Sequence, residues 1–348
     1  MAATWTNPTD RTQGDLISAS DWNNLIGEDG SLDYANFRRG RKNYIINGNF
    51  DIWQRGTSET GRTNVGYLAD RWLINPSGAT IDSSQEAFTV GQTDVPNEPA
   101  YFYRFTNTVA ADNAGLWQKI EGVRSLAGQT ATISFYAKYT TNEPTSLSLD
   151  INQDFGSSGS SDVATSIQTG ITLTTSWQKF TYSISVPSIS GKTVAGGDDN
   201  IAFRISNPNT EIWDMDIAQV QVEKGSVATD FEHRHIGEEL ALCHRYYQNS
   251  GNTGARYIIN GAMQSSTQFF GLIPISTPMR TNPTITLGLS QVLASNGGYD
   301  NTGVTVSSSS NILGGIAVTI ATAADSGTFT SFRGAALRCN DYLLDAEL

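Results

Sequence analysis

Thr132-Ile133-Ser134-Phe135-Tyr136-Ala137-Lys138-Tyr139 is the stretch whose reading decides the fold. Ile133, Phe135, Ala137 and Tyr139 alternate with Thr132, Ser134, Tyr136 and Lys138. A period of two sends successive side chains to opposite faces of a β-strand, one into a core and one into water. The same alternation returns downstream: Leu147, Leu149 and Ile151; then Phe180, Tyr182, Ile184 and Val186; then Ile201, Phe203 and Ile205. Clusters of Gly, Pro, Asn and Ser at 75–78, 156–161, 187–200 and 206–209 part the runs and supply turns. Roughly eight to ten such strands between Lys42 and Glu232 predict a two-sheet jelly roll.

Beyond this block the period changes. Ile236, Leu240, Cys243 and Tyr247 are spaced four, three and four apart, which lines one helical face; Glu238 and Glu239 near its start and His244 and Arg245 near its end suit the helix dipole. Short strands resume at 269–275, 284–289, 304–307, 315–322 and 338–344, with 296–303 and 307–311 read as exposed loops. Tyr44-Ile-Ile-Asn-Gly48 returns as Tyr257-Ile-Ile-Asn-Gly261, which suggests that each unit opens on a similar strand and turn. Upstream, Ser18 caps a short helix whose apolar side is Trp22, Leu25 and Ile26 and which Gly27 ends. A helix so short needs a surface to lie on. The expected architecture is therefore all-β: an N-terminal anchoring arm (1–41), a jelly-roll β-sandwich (42–235), a linking helix (236–250) and a second, smaller β-sandwich (251–348).

Composition agrees. A chain of 348 residues exceeds one core of usual size, and 33 glycines with a hydrophobic fraction of 38% suit short strands and polar turns. A net charge of −12 argues against nucleic acid or an anionic membrane as partner, because phosphate binding draws on clustered Lys and Arg. The one basic cluster, Arg38, Arg39, Arg41 and Lys42, reads as a solvated linker or a contact with an acidic subunit. Cys243 and Cys339 are too few and too far apart for a disulfide framework or a zinc site. The opening residues lack the basic-then-apolar order of a signal sequence, and no apolar run reaches membrane-spanning length.

Three segments resemble phage and prophage tail-fibre-type virion proteins. The first is Trp5-Thr-Asn-Pro-Thr-Asp-Arg-Thr-Gln-Gly-Asp-Leu-Ile-Ser-Ala-Ser-Asp-Trp-Asn23. The second, Asn43-Tyr-Ile-Ile-Asn-Gly-Asn-Phe-Asp-Ile-Trp-Gln-Arg-Gly56 with Tyr67-Leu-Ala-Asp-Arg-Trp72, is similar to the start of a carbohydrate-binding-module-like jelly roll. The third runs from Ala218-Gln-Val-Gln-Val-Glu-Lys-Gly225 through Asp230-Phe-Glu-His-Arg234 to Gly237-Glu-Glu-Leu-Ala-Leu-Cys-His-Arg-Tyr-Tyr247, and Tyr342-Leu-Leu-Asp-Ala-Glu-Leu348 completes the set. The resemblance implies a virion component made in the host cytoplasm, a homotrimer held to other virion proteins by its N-terminal arm and adhering to a host surface or glycan. A purely structural capsid-decoration or baseplate protein and a glycan-degrading tail spike are the alternatives.

Candidate sites follow. The resemblance implies a structural calcium (Ca2+) near the first and last jelly-roll strands, where Asn49, Asp51, Asp214 and Asp216 offer hard oxygen ligands. Trp53, Trp72, Trp117, Trp177 and Trp213 are either core or a sugar platform, with Trp72 structural beside an Asp70–Arg71 pair. Tyr299, Asp300 and Asn301, in a polar loop, are placed to meet a carbohydrate or receptor. Trp22, Leu25, Ile26, Ile236, Leu240, Cys243 and Tyr247 form the expected assembly surfaces. No nucleophile elbow, phosphate loop or metalloprotease helix is present, and His233, His235 and His244 cluster without a nucleophile in sequence, so an enzyme is not expected.

Overall fold

The computed structural model describes residues 42–111, 113–251, 256–265, 267–275, 277–288, 290–294, 299–300, 305–312, 315–321, 334–339 and 341–348. The N-terminal arm, with Trp22, Leu25 and Ile26, lies outside them, as does Asn301.

The first unit is built from β1 (Ser58–Arg62), β2 (Gly66–Tyr67), β3 (Leu73–Asn75), β4 (Thr80–Ala87), β5 (Tyr101–Ala111), β6 (Ala114–Glu121), β7 (Thr130–Lys138), β8 (Leu147–Asp154), β9 (Val163–Ile171), β10 (Gln178–Ser185), β11 (Asn200–Asn207) and β12 (Glu211–Lys224). They form two six-stranded sheets, β1-β4-β5-β12-β7-β10 and β2-β3-β6-β11-β8-β9, antiparallel throughout. This is the jelly-roll sandwich that the alternation implied. The inner faces interdigitate through Tyr103, Phe105, Phe135 and Trp213 of the first sheet and Leu116 and Ile151 of the second.

The opening segment 43–53 is not a strand. It runs beside β12, Tyr44 N–H donating to Val222 O (2.8 Å) and Val220 N–H to Gly48 O (2.9 Å), then turns through Asn47 and Phe50, both at φ +57°. Gly48 is needed there, because a Cβ would collide with the Val220 carbonyl. The echo at 257–261 lies instead within β-strand 256–265, whose pairing shifts register between Tyr257 and Ile259. The two copies of Tyr-Ile-Ile-Asn-Gly thus have different structures, set by their neighbours, and the shared strand-and-turn reading is corrected.

Helix α1 (Ile236–His244) is shorter than the spacing suggested, and Tyr247 opens β13 (Tyr247–Asn249). His235 Nδ1 accepts from Gly237 N–H (3.2 Å) to cap it. The second unit holds β14 (Arg256–Ser265), β15 (Gln268–Pro274), β16 (Thr284–Leu287), β17 (Ser290–Ala294), β18 (Tyr299–Asp300), β19 (Thr305–Ile312), β20 (Gly315–Ala321), β21 (Gly334–Cys339) and β22 (Tyr342–Asp345). They make a seven-stranded sheet, β18-β17-β21-β14-β15-β20-β19, and a three-stranded one, β13-β22-β16. Three expectations change. The run 338–344 splits between β21 and β22 in different sheets, Tyr299–Asp300 within the expected 296–303 loop pair with β17 as β18, and the Ser-rich 307–311 pairs with β20 as edge strand β19, because a ladder needs backbone groups and not apolar side chains.

The two units meet in a polar knot. Arg71, in the left-handed region at φ +71° and 1% exposed, pairs with Glu347 and stacks on Tyr246 (3.5 Å). Arg55 lies 3.3 Å from Glu347 and 3.7 Å from Asp70, and covers Tyr247 at 3.5 Å. Arg280 donates to Ala346 O and Glu347 O (both 3.0 Å), and Lys119 and Tyr67 donate to Leu348 O (3.1 and 3.0 Å). Asp70 and Arg71 are therefore not each other's partners. Adjacent residues project apart at this turn, and each takes a partner distant in sequence.

Removing one member of a desolvated pair leaves the other uncompensated, so Glu347→Ala should cost about 3–5 kcal/mol. The double variant Arg71→Met/Glu347→Leu should recover most of it, both read from urea midpoints. Burial pushes the Asp70 carboxyl up to about 6, against the opposing Gln54 hydrogen bonds and Arg55 charge. A raised carboxyl contributes stability at low pH that is lost as pH rises through the folded value. The melting temperature of Asp70→Asn minus that of wild type should therefore grow from pH ~4 to pH ~7.

Candidate functional site

The outer face of the first sheet carries the chemistry. Along β12, Trp213, Met215 and Ile217 point inward, then Val220 and Val222 do, a change of phase that requires one extra residue. The register supplies it: Ala218 faces Tyr136 and Gln221 faces Ser134, so two residues of β12 bulge against one of β7, with Gln219 at φ +48°. The bulge divides the outer face in two. Below it, Gln221 and Glu223 are covered by 226–232, Glu223 accepting from Thr229 N–H (2.8 Å) and Gln221 from Glu232 N–H (2.8 Å). Above it, Asp216 stands between Arg104 of β5 and Lys138 of β7, its register partners on either side.

Asp216 accepts from Arg104 Nε (2.7 Å) and Nη2 (2.8 Å), and Lys138 Nζ lies 3.7 Å away. Burial pushes the Asp216 carboxyl up, outweighing the Arg104 hydrogen bonds and the two cations that hold it down. Beside this group, Phe88, Phe102 and Trp177 form an aromatic triangle with ring centroids 4.9–5.3 Å apart. Phe102 shares the Arg104 face two residues back, and Trp177 precedes β10 level with Lys138, whose Nζ is 5.4 Å from the ring. Phe102 is 8% and Asp216 0% exposed, so the groups of this array that reach solvent are Phe88, Trp177, Arg104 and Lys138, all part-exposed, with buried Asp216 holding the two cations. Rings stack on the C–H face of a pyranose, while charge-assisted hydrogen bonds select its hydroxyls.

The other expected residues are placed differently. Trp72 and Trp213 are core, Trp53 stacks on Tyr103 (5.2 Å), and Trp117 lies under Arg204 (5.2 Å), so of these tryptophans Trp177 alone joins the triangle. Asn49 donates to Asp51 (3.0 Å) beside a recess of about 50 Å³, where burial pushes the Asp51 carboxyl up. Asp214 is taken up elsewhere, accepting from the backbone of Thr140 (2.5 Å), Thr141 (3.0 Å) and Asn142 (2.6 Å) and from the Thr140 hydroxyl (2.7 Å). The structure does not bring the four proposed calcium ligands together, and among the described residues no three His, Cys, Asp or Glu side chains form a metal shell. Asp214 and Asp216 already have protein donors for their oxygens. Tyr299 and Asp300 form β18, paired with β17.

On the helix, Cys243 is buried by its own chain, Leu240 is half-buried and Ile236 is 50% exposed; Tyr247, at the start of β13, is buried too. The expected assembly face is thus largely spent inside the molecule, because β22 and the 346–348 tail lie against Tyr246 and Tyr247. Burial also pushes the Cys243 thiol well up, which removes it as a nucleophile.

No protein family and no curated protein matches the chain. Solved structures do. The family 22 carbohydrate-binding and GH10 modules of the N-terminal endo-1,4-beta-D-xylanase 10B from Clostridium thermocellum, complexed with xylohexaose, match at 12% identity over 54% of this chain and 29% of that one (TM-score 0.35). A family 4 carbohydrate-binding module matches at 22% identity over 52% of this chain and 99% of its own (TM-score 0.33). A cyclase from Fischerella sp. TAU, in complex with 4-(1H-indol-3-yl)butan-2-one, matches at 10% identity over 55% and 100% (TM-score 0.36). Likeness at this level carries no argument about function, and binding modules and an enzyme share it.

Asp214 pins the 140–142 loop, so Asp214→Ala should destabilise the chain by about 1–3 kcal/mol through its orphaned donors. Thermal melts with added calcium and with chelator should coincide for wild type and variant alike.

Proposed function

We propose that this chain is an adhesive structural component of a phage particle, fibre- or spike-like, which binds host-surface glycan through the part-exposed rings and cations on the outer face of its first sheet. The carrying observation is the Phe88–Phe102–Trp177 triangle beside Arg104–Asp216–Lys138. A face of this kind suits an extended ligand laid across strands. The recesses among the described residues, about 50 and 20 Å³, are far below the roughly 300 Å³ of an enclosed small-molecule site. The virion part of the reading is supported by the resemblance of the opening, jelly-roll and closing segments, and it makes residues 1–41 the attachment to the particle and the working form a homotrimer. Asp216 holds Arg104 and Lys138 in place before ligand arrives, which lowers the ordering cost of binding.

Glycan-array and host-cell binding test the proposal. Trp177→Ala should weaken binding roughly tenfold, the loss of one ring stack together with its buried area. Asp216→Asn should weaken it further by releasing Arg104 and Lys138. A chain that binds neither cells nor array, yet joins particles, would be a purely architectural subunit. Release of reducing sugar would make it a depolymerase.

A further inference from the structure

We propose that a second copy of this chain docks on the outer face of the seven-stranded sheet, on a ridge formed by Phe270 and Leu272. Along β15, Phe269 and Ile273 enter the second core, while Gln268, Phe270, Leu272 and Pro274 point the other way. Phe270 is 44% and Leu272 42% exposed, unusual for large apolar residues adjacent on one sheet face. Their register neighbours are small: Ala262 of β14 opposite Phe270, and Thr319 and Ala317 of β20 opposite Phe270 and Leu272. A tall ridge therefore runs between two shallow troughs.

Charge selects the occupant. Residues 257–279 and 301–324 contain no Asp, Glu, Lys, Arg or His, so β15, β19, β20 and all of β14 beyond Arg256 are uncharged in a chain of net charge −12. Two copies repel wherever their acidic surfaces face each other, and these four strands let them approach without desolvating a charge. An oppositely charged partner would find nothing on these strands to recognise, the sheet's other strands carrying Asp300 and Arg338. A ridge and its troughs on one face are also self-complementary, since the ridge of one copy seats in the trough of the next about a twofold or threefold axis. Four strands about 4.8 Å apart and about 26 Å long present roughly 500 Å². That is below the roughly 800 Å² each partner buries in a stable complex, which puts self-association in the micromolar range. The face does not depend on the glycan reading, and it replaces the 236–247 segment, whose Cys243 and Tyr247 are buried within the chain, as the surface where copies meet.

Sedimentation of the full chain across the micromolar range tests this. Wild type should self-associate, and Phe270→Glu/Leu272→Glu should weaken association at least about a hundredfold by setting like charges against each other. Val90→Glu, at a residue 95% exposed on the first unit, should leave it unchanged. Because Phe270 is already part-exposed, the variants should keep the wild-type circular dichroism and melting temperature. Mixing Phe270→Glu with Phe270→Lys should restore association that neither shows alone, which a folding defect would not do. A monomeric wild type, an oligomer that survives the double variant, or one lost only when residues 2–41 are removed would each overturn the proposal, the last by making the arm the cover.

Discussion

The Arg71 guanidinium is 1% exposed and attached to a backbone at φ +71°, a conformation that costs a residue with a Cβ about 1–2 kcal/mol. Such a group persists only where a carboxylate, an aromatic face and carbonyl oxygens close around it. Glu347, Tyr246 and Lys119 O supply them, and the carboxylate comes from the far end of the chain. The turn at 69–72 therefore completes its environment only after β22 has paired and the tail has been laid down. Gln54, Asp70, Tyr247 and Asn249 bond around the same point. The two sandwiches are one assembly joined at a single desolvated knot. Contacts separated by 276 residues in sequence place its completion late in folding.

A second constraint acts on the opposite side of the jelly roll. Without the extra residue at Gln219, β12 would carry one phase from end to end, and the hydrophobic set after the bulge would face water. With it, β12 buries Trp213, Met215 and Ile217 before the bulge and Val220 and Val222 after it, while the outer face is covered by 226–232 on one side and leaves Arg104 and Lys138 part-exposed on the other. The bulge therefore decides where a ligand can reach the sheet.

Much of the architecture was legible because antiparallel strands with one wet face announce themselves by alternation, as 130–138, 147–154, 178–185 and 200–207 do. Tyr101-Phe-Tyr-Arg-Phe105 hid because both of its faces are aromatic: Tyr103 and Phe105 fill the core while Phe102, on the outer face, is buried under Phe88 and Trp177. Large residues on both phases of a strand are the signal that would have pointed to a site. Trp177 could not be separated from Trp72 or Trp213 by residue type, since exposure depends on strand phase. Arg71 was invisible as a keystone because its partner is distant in sequence, and the nearer acid, Asp70, was the natural guess. The serine run in β19 misled because an edge strand is held by its backbone.

The knot's seclusion has an environmental consequence. Mobile ions screen charges they can approach, over about 8 Å at physiological ionic strength, but they have no access to a pair whose members are 1% and 6% exposed. Arg245–Glu121, at 40% and 36%, weakens as salt rises. The joint between the units should thus keep its strength from dilute water to brine, while the outer surface adjusts to the medium. A molecule arranged this way can change its surroundings abruptly without its halves working loose.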